Sequence, residues 1–236
     1  MIRHTVTVAR LPRQKTQAAV LSLIALALLG TATSAQRRGW EQRDTWQNPA
    51  GILEALQVRE GSWIADVGAG DGYLTHHLAA AVGPQGRVFA EDINAGSLRS
   101  LRRSLPDELA DRVTIVEGRT DSPTLPPDAL DGVVALNAYH EFTEYQSMLA
   151  SIRESLKPGG ILVIADRATA ADSTRSRRRQ TSDHRLHYSL VREELVAAGF
   201  QIISIDPDFA RQSGRSSSEA YWLIAARRPI QPKPIS

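Results

Sequence analysis

From residue 49 to residue 226 the chain alternates short, uninterrupted apolar runs with longer stretches in which apolar residues recur at helical spacing. That alternation predicts a parallel sheet covered by helices on both faces. The apolar runs place strands at Trp63–Val67, Arg87–Asp92, Val113–Glu117, Gly132–Leu136, Ile161–Asp166, Phe200–Ile205 and Tyr221–Ala226. The amphipathic stretches place helices at Pro49–Gln57, Leu74–Val82, Ala95–Leu105, Thr143–Leu156 and Ser189–Ala198. The first of these opens on Pro49 with Asn48 as its cap. Residues 169–184, with "RSRRRQTSDH", show no periodicity and read as a mobile surface loop with solvated arginines. No repeat of the solenoid or propeller kind interrupts the pattern.

The most distinctive junction is "WIADVGAGDGY", where a buried strand ends at Val67 and Gly68, Gly70 and Gly72 follow at alternate positions before a helix. Glycines there let the backbone turn tightly and approach a ligand closely. Alone, such a turn suits any nucleotide-like molecule. The dinucleotide fingerprint needs a further glycine where this chain has Tyr73, which disfavours a pyrophosphate grip and with it a nicotinamide oxidoreductase. The next strand, "GRVFAEDIN", ends on Glu91, Asp92 and Ile93 at the carboxyl edge of the sheet, where open α/β sheets bind ligands. Asp92 can accept both hydroxyls of a ribose, and Ile93 can lie against a flat base. Strand alternation sends Glu91 to the other face.

Composition changes the picture mainly at the N-terminus. The chain has 236 residues, no cysteine and a formal charge of +2. Disulfides and thiolate chemistry are therefore excluded. Arg3, Arg10, Arg13 and Lys15 are unopposed by any acid within residues 1–35, and without these four the charge falls to −2. A slightly acidic remainder gives no reason to expect nucleic-acid binding. The basic stretch leads into "AAVLSLIALALLG" and then "TATSAQ", where Thr33 and Ala35 supply the small residues of a signal-peptidase site. The expected organisation is a signal peptide over 1–35, a catalytic domain over 36–228 and a disordered tail over 229–236. Export to the periplasm or medium follows from cleavage. An uncleaved anchor, touching the membrane through residues 18–30, and a start codon set too far upstream are the alternatives.

Taken in order, "IADVGAGDGY", "GRVFAEDI", "LPPDALDGVVALNAYHEF" and "LKPGGILVIAD" resemble the class I S-adenosylmethionine-dependent methyltransferases. More narrowly, the chain is similar to the ubiquinone and menaquinone methyltransferases and to predicted secreted bacterial methyltransferases, over about Trp46 to Arg228. The resemblance implies a seven-stranded, mostly parallel Rossmann-like α/β sheet with helices on both faces, and S-adenosylmethionine as cofactor. It implies that Asp66, Gly68, Ala69 and Gly70 hold the amino-acid part of the cofactor, Asp92 the ribose and Ile93 the adenine. Asp121, in "GRTDSPTLP", is the candidate for the adenine amine, although many relatives have an acid where this chain has Arg119. Asn137 would face the methionine portion. In the "LKPGG" turn, Gly159 and Gly160 are expected to supply positive dihedrals.

Methyl transfer from such a cofactor is an in-line displacement in which the protein positions and desolvates. A base is needed only for a hydroxyl or a protonated amine acceptor. The segment "NAYHEF" emerges where the methyl group should point, making His140 the first candidate for a base or orienting group, with Tyr139 and Glu141 behind it. Each has a plainer role open to it: His140 as a hydrogen-bonded structural residue, Tyr139 as a stacking or closing residue, and Glu141 as a favourable charge at a helix start. His184 and Arg185 either border the acceptor pocket or cap the following helix. His76 and His77 are surface or packing residues. No histidine and carboxylate set has metal-ligand spacing along the chain, so no metal is expected. The expected partner is a small-molecule or quinone-like acceptor, with a non-catalytic cofactor-binding sensor as the alternative function.

Overall fold

The computed structural model describes residues 39–210 and 219–230. The expected signal segment, and all but the start of the expected tail, lie outside these residues. In chain order the elements are α1 (Pro49–Ala55), β1 (Trp63–Val67), α2 (Tyr73–Ala81), β2 (Arg87–Asp92), α3 (Ala95–Ser104), α4 (Asp107–Ala110), β3 (Val113–Glu117) and β4 (Leu130–Leu136). They continue with α5 (Tyr145–Ser155), β5 (Leu156–Thr169), α6 (Arg177–Ser182), α7 (Tyr188–Ala197), β6 (Gln201–Ala210) and β7 (Glu219–Arg227). Asn48 caps α1 as its sequence suggests, accepting the Gly51 N–H at 3.1 Å.

The seven strands form one sheet in the order β3-β2-β1-β4-β5-β7-β6. Pairing is parallel from β3 through β5, and β7 runs antiparallel to both of its neighbours. Strand order reverses between β1 and β4, which opens a crevice beyond the carboxyl ends of those strands. The central strands are buried because helices cover both faces, which is why they read as continuous apolar runs. The main core joins β4, β5 and β7 to α5 and α7 through residues such as Val133, Leu149, Leu162, Leu195 and Trp222. Trp222 satisfies its indole by donating Nε1–H to the Leu186 carbonyl at 2.7 Å.

Three expectations are corrected here. Residues 169–184 are structured, not a periodicity-free loop. Thr169 and Asp172 form a capping box on the 3₁₀ turn Ala170–Thr174, and α6 follows. Two of its four arginines are held as well, Arg175 by the fully buried Asp172 at 3.2 Å and Arg177 by Glu194 at 2.8 Å, while Arg178 and Arg179 are exposed as expected. Second, β5 begins at Leu156, so "LKPGG" lies within the strand assignment, and of its two glycines only Gly159 has a left-handed φ, 87°. Gly160 instead allows close approach, since a Cβ there would lie 3.0 Å from the Lys157 carbonyl oxygen. Third, β6 and β7 extend beyond the apolar runs that predict them, because their antiparallel ladder continues through residues with no apolar bias.

Candidate functional site

The turn after β1 is built by three left-handed glycines at alternate positions, Gly68, Gly70 and Gly72, with φ of 75°, 56° and 88°. Gly68 also sits against the next crossover: a Cβ on it would lie 2.4 Å from that of Ala138. The turn is pinned from β2. Gly68 and Ala69 donate their N–H groups to the Glu91 carbonyl at 2.9 and 2.8 Å. The Glu91 carboxylate accepts a second, longer bond from the Gly68 N–H at 3.3 Å, and the Asp92 carboxylate accepts from the Gly70 N–H at 2.9 Å. The other Asp92 oxygen accepts from the Asn94 N–H at 2.8 Å, which fixes the carboxylate in place.

A cavity of about 280 Å³ lies beside this turn, lined by Gly68, Glu91, Asp92, Ile93, Arg119, Thr120, Asn137, Ala138, Glu141, Phe142, Thr143 and Met148. It sits at the carboxyl ends of β1, β2 and β4, where this sheet architecture binds ligands. A larger groove of about 430 Å³ lies at the opposite strand ends, between Gln57, Asp131 and Lys157. It contains none of the candidate residues, and strand polarity favours the smaller cavity as the site.

The cavity wall carries unmet hydrogen-bonding capacity. The Glu91 Oε1 and Asn137 Oδ1 atoms are buried and have no protein partner. Buried orphan acceptors of this kind call for a donor from a ligand or water. Ile93, 59% exposed, is a large apolar side chain left uncovered at the cavity rim. With Glu91 held protonated by burial, the Asp92 and Glu141 carboxylates against the Arg119 guanidinium still leave the wall acidic, which suits a ligand carrying an ammonium and a sulfonium group. The residues present therefore fit S-adenosylmethionine: acceptors for its amine and hydroxyls, and an apolar shelf for its base.

The remaining cofactor candidates are placed differently. Asp66 is 2% exposed and accepts a 2.6 Å bond from the Thr75 hydroxyl, tying β1 to α2 rather than lining the cavity. Burial is the main reason its carboxyl is raised to about 6. Ala69 turns its side chain into a small core with Ala90 and Leu101. Asp121 is paired with Arg119 Nε at 3.0 Å, and Arg119 and Thr120, not Asp121, line the wall.

Glu91 was demoted by strand alternation, yet it lines the cavity. It is 2% exposed and burial raises its carboxyl to about 8, with the Asp92 and Asp66 charges adding to the effect against the Gly68 bond. A sequence signal existed in the consecutive acids ending β2. The Gly68–Gly70 turn crosses that strand end, so neighbours on opposite faces both reach it.

The "NAYHEF" segment divides its side chains. Asn137, at a left-handed φ of 53°, faces the cavity. Tyr139 is fully buried and donates its hydroxyl to Glu194 at 2.8 Å, with Arg177 on the other carboxylate oxygen. It does not line the cavity. His140 is 7% exposed and places Nδ1 at 2.9 and 3.0 Å from the two oxygens of Asp166, which is fully buried on β5. Burial opposes the charged imidazole, but the Asp166 bond and charge together with Glu141 outweigh it and raise the His140 pKa. Glu141, largely exposed, lies 3.2 Å from His140 Nε2 and 3.0 Å from His184 Nδ1. The fold thus brings His184 to a pair 43 residues earlier, a meeting that spacing along the chain does not reveal. The expectation of no metal rested on that linear spacing.

Residues 64–160 match the family model of the methyltransferase domain. The chain is similar to the ubiquinone/menaquinone biosynthesis C-methyltransferase UbiE of Stutzerimonas stutzeri, at 32% identity over 115 residues, 48% of this chain and 45% of that protein. Its similarity to the UbiE of Hahella chejuensis is 30% over 115 residues, 48% of this chain and 46% of that one. The match spans about half the length of these curated relatives. In fold, the chain resembles a SAM dependent methyltransferase from Aquifex aeolicus, with a TM-score of 0.63 and 18% identity, covering 78% of this chain and 90% of that one. It also resembles geranyl diphosphate C-methyltransferase from Streptomyces coelicolor A3(2), solved with Mg²⁺, geranyl diphosphate and S-adenosyl-L-homocysteine. There the TM-score is 0.64 at 14% identity, over 77% of this chain and 79% of that one. With the sheet order and the glycine turn, these matches make residues 64–160 similar to a methyltransferase domain and give the chain the fold of the S-adenosylmethionine-dependent methyltransferases it resembles.

Proposed function

We propose that the protein transfers a methyl group from S-adenosylmethionine to a small-molecule acceptor that enters beside His140, Glu141 and His184. The observation that carries this reading is the Asp92 carboxylate, fixed by the Gly70 and Asn94 N–H groups on the cavity wall beside the exposed Ile93. Asp92 would hold the ribose hydroxyls with its remaining acceptor capacity, and Ile93 would cover the adenine. Glu91 Oε1 and Asn137 Oδ1 would accept from the amino-acid end, which meets the deficit each now carries. When bound, the cofactor supplies a methyl group already activated by the positive sulfur. The protein's part is to align the acceptor and exclude water. Phe142 and Met148 give the cavity its apolar side, and Glu141 borders it at the acceptor end. Similarity to the ubiquinone/menaquinone biosynthesis C-methyltransferases supports a quinone-like acceptor.

Titration calorimetry with S-adenosylmethionine tests this reading. We expect one site per chain, and Asp92→Ala to weaken it by about tenfold or more, since two charge-assisted hydrogen bonds are removed and each contributes on the order of 1–3 kcal/mol. Absent binding in the wild type, or equal binding in the variant, overturns the assignment. The basic and apolar residues 1–35 support export of the mature chain, and N-terminal sequencing of the protein from fractionated cells checks it.

A further inference from the structure

The cluster at the mouth of the cavity has a chemistry that cofactor binding does not use. Three ligand atoms, one each from His140, Glu141 and His184, lie within 4.8 Å of one another. Glu141 Oε1 is shared: it stands 3.2 Å from His140 Nε2 and 3.0 Å from His184 Nδ1. The two imidazoles meet almost at right angles, 87° between planes with centroids 5.8 Å apart. Ligands at about 2.1 Å from a tetrahedral ion are separated by about 3.4 Å, and the separations of 3.2 and 3.0 Å lie close to that value.

The tautomer of His140 is set from behind. Nδ1 faces both oxygens of the buried Asp166, which also accepts the His140 and Arg167 backbone N–H groups at 3.2 and 2.8 Å. With four contacts to donors, that carboxylate is committed, and the Nδ1 proton belongs to it. The Nε2 lone pair is then aimed at a carboxylate oxygen. Two acceptors facing each other need a proton or a metal ion between them, and a metal ion there can also take in His184 Nδ1. A carboxylate holding the outer nitrogen of a histidine is also how metal-ligating imidazoles are oriented.

We propose that His140 Nε2, Glu141 and His184 Nδ1 bind one divalent first-row transition metal ion, with Asp166 as the positioning residue behind His140. Two imidazoles and one carboxylate suit Zn²⁺, Fe²⁺, Mn²⁺ or Co²⁺ better than Mg²⁺ or Ca²⁺, which take oxygen sets. Three protein ligands leave coordination positions open. Glu141 and His184 are both largely exposed, and Glu141 also lines the cavity, so the open positions face solvent and the acceptor end. Resting on the methyltransferase reading, this assigns the acceptor an oxygen donor, a hydroxyl or enolate, that ligates the ion beside the methyl-transfer position. His140 is then a ligand and not a free base.

The test uses the full mature chain, purified without a polyhistidine tag, stripped with a chelator and titrated with Zn²⁺ by calorimetry. Co²⁺ is added in parallel and followed by its visible absorption. The expected result is one ion per chain, with His184→Ala and Glu141→Gln each weakening binding about tenfold or more while circular dichroism and melting stay as in the wild type. No binding, or binding unchanged in both variants because other histidines carry it, overturns the site. Binding of S-adenosylmethionine is measured on the same samples. Metal binding without cofactor binding leaves this site standing and removes the methyltransferase reading. Cofactor binding without metal binding does the reverse, and His140 is then a proton carrier.

Discussion

Replacing Glu91 by Gln should make the protein less sensitive to alkaline conditions, and the size of the effect follows from the site. Glu91 is buried beside Asp92 and Asp66, and its carboxyl is raised from 4.5 to about 8. Because the folded-state value lies above the unfolded one, folding binds a proton between those pH values. The stabilisation is complete below about pH 4.5 and is lost as pH rises through about 8. At about 1.4 kcal/mol per tenfold, the whole loss amounts to about 5 kcal/mol, of which about half falls between pH 6 and 8.5. Gln keeps the shape and has no charge to bury. Its stability relative to wild type should therefore climb by about 2–3 kcal/mol over that window, which for a domain of this size is about 5–10 °C in Tm. Asp66, raised to about 6, completes its titration early in that window, and His140 titrates in both proteins. Urea unfolding of the cofactor-free protein at half-unit pH steps measures it. Parallel curves for wild type and variant would refute the argument that an ionised Glu91 is held at a cost.

Two further substitutions probe the supports of the site. In Gly118→Ala the added Cβ would fall 1.6 Å from Glu91 Oε1, so the carboxylate must leave its place; a loss of about 1–3 kcal/mol is expected from the overpacking, along with weaker cofactor binding. The same change in a Glu91→Ala background should cost much less, and an additive double-mutant cycle would sink the explanation. Tyr139→Phe removes the donor to Glu194 Oε2 but leaves Arg177 in place; denaturant unfolding should show a loss of about 1–2 kcal/mol with cofactor affinity unchanged within about twofold. A large fall in cofactor affinity without a fall in stability would return Tyr139 to the binding site.

How far the site was legible from sequence depended on whether the determining contacts were local. The ends of β1, β2 and β3 coincide with the runs that predict them, since each has an apolar middle bounded by turn or charged residues. The places of Asp92, Ile93 and the glycine turn at the carboxyl edge of the sheet were readable for the same reason: each is fixed within a few residues of a strand end. Glu91 was not, because its role comes from a turn belonging to another strand. Tyr139 was misleading in the opposite sense. It sits among cavity residues in sequence, but Glu194 and Arg177, 55 and 38 residues away, draw it into the core. The loop reading of residues 169–184 failed because Asp172, Gln180 and Arg177 hold that segment through polar side chains, which apolar periodicity does not register.

The short crossover after β4 explains how one segment serves two poles of the site. Asn137 takes a left-handed φ, and Ala138 then abuts Gly68 so closely that neither position has room for a larger side chain on the other. This contact locks the crossover to the cofactor turn. From that lock, the 3₁₀ turn Tyr139–Glu141 rotates successive side chains apart: Tyr139 into the core, His140 back onto Asp166 of β5, and Glu141 out to His184. The glycine turn and the Glu141–His184 pair are thus joined by a run of five residues, buried over Ala138–His140 and tied to β5 by the Asn137 N–H bond to the Ala165 carbonyl at 2.8 Å. Precise alignment of two reacting groups depends on such short, braced connections, because an error of about 1 Å can cost about a hundredfold in rate. Loosening the lock at Ala138, for instance with Gly, should therefore reduce turnover more than it weakens either cofactor or metal binding, and equal losses in all three would place the residue in packing alone.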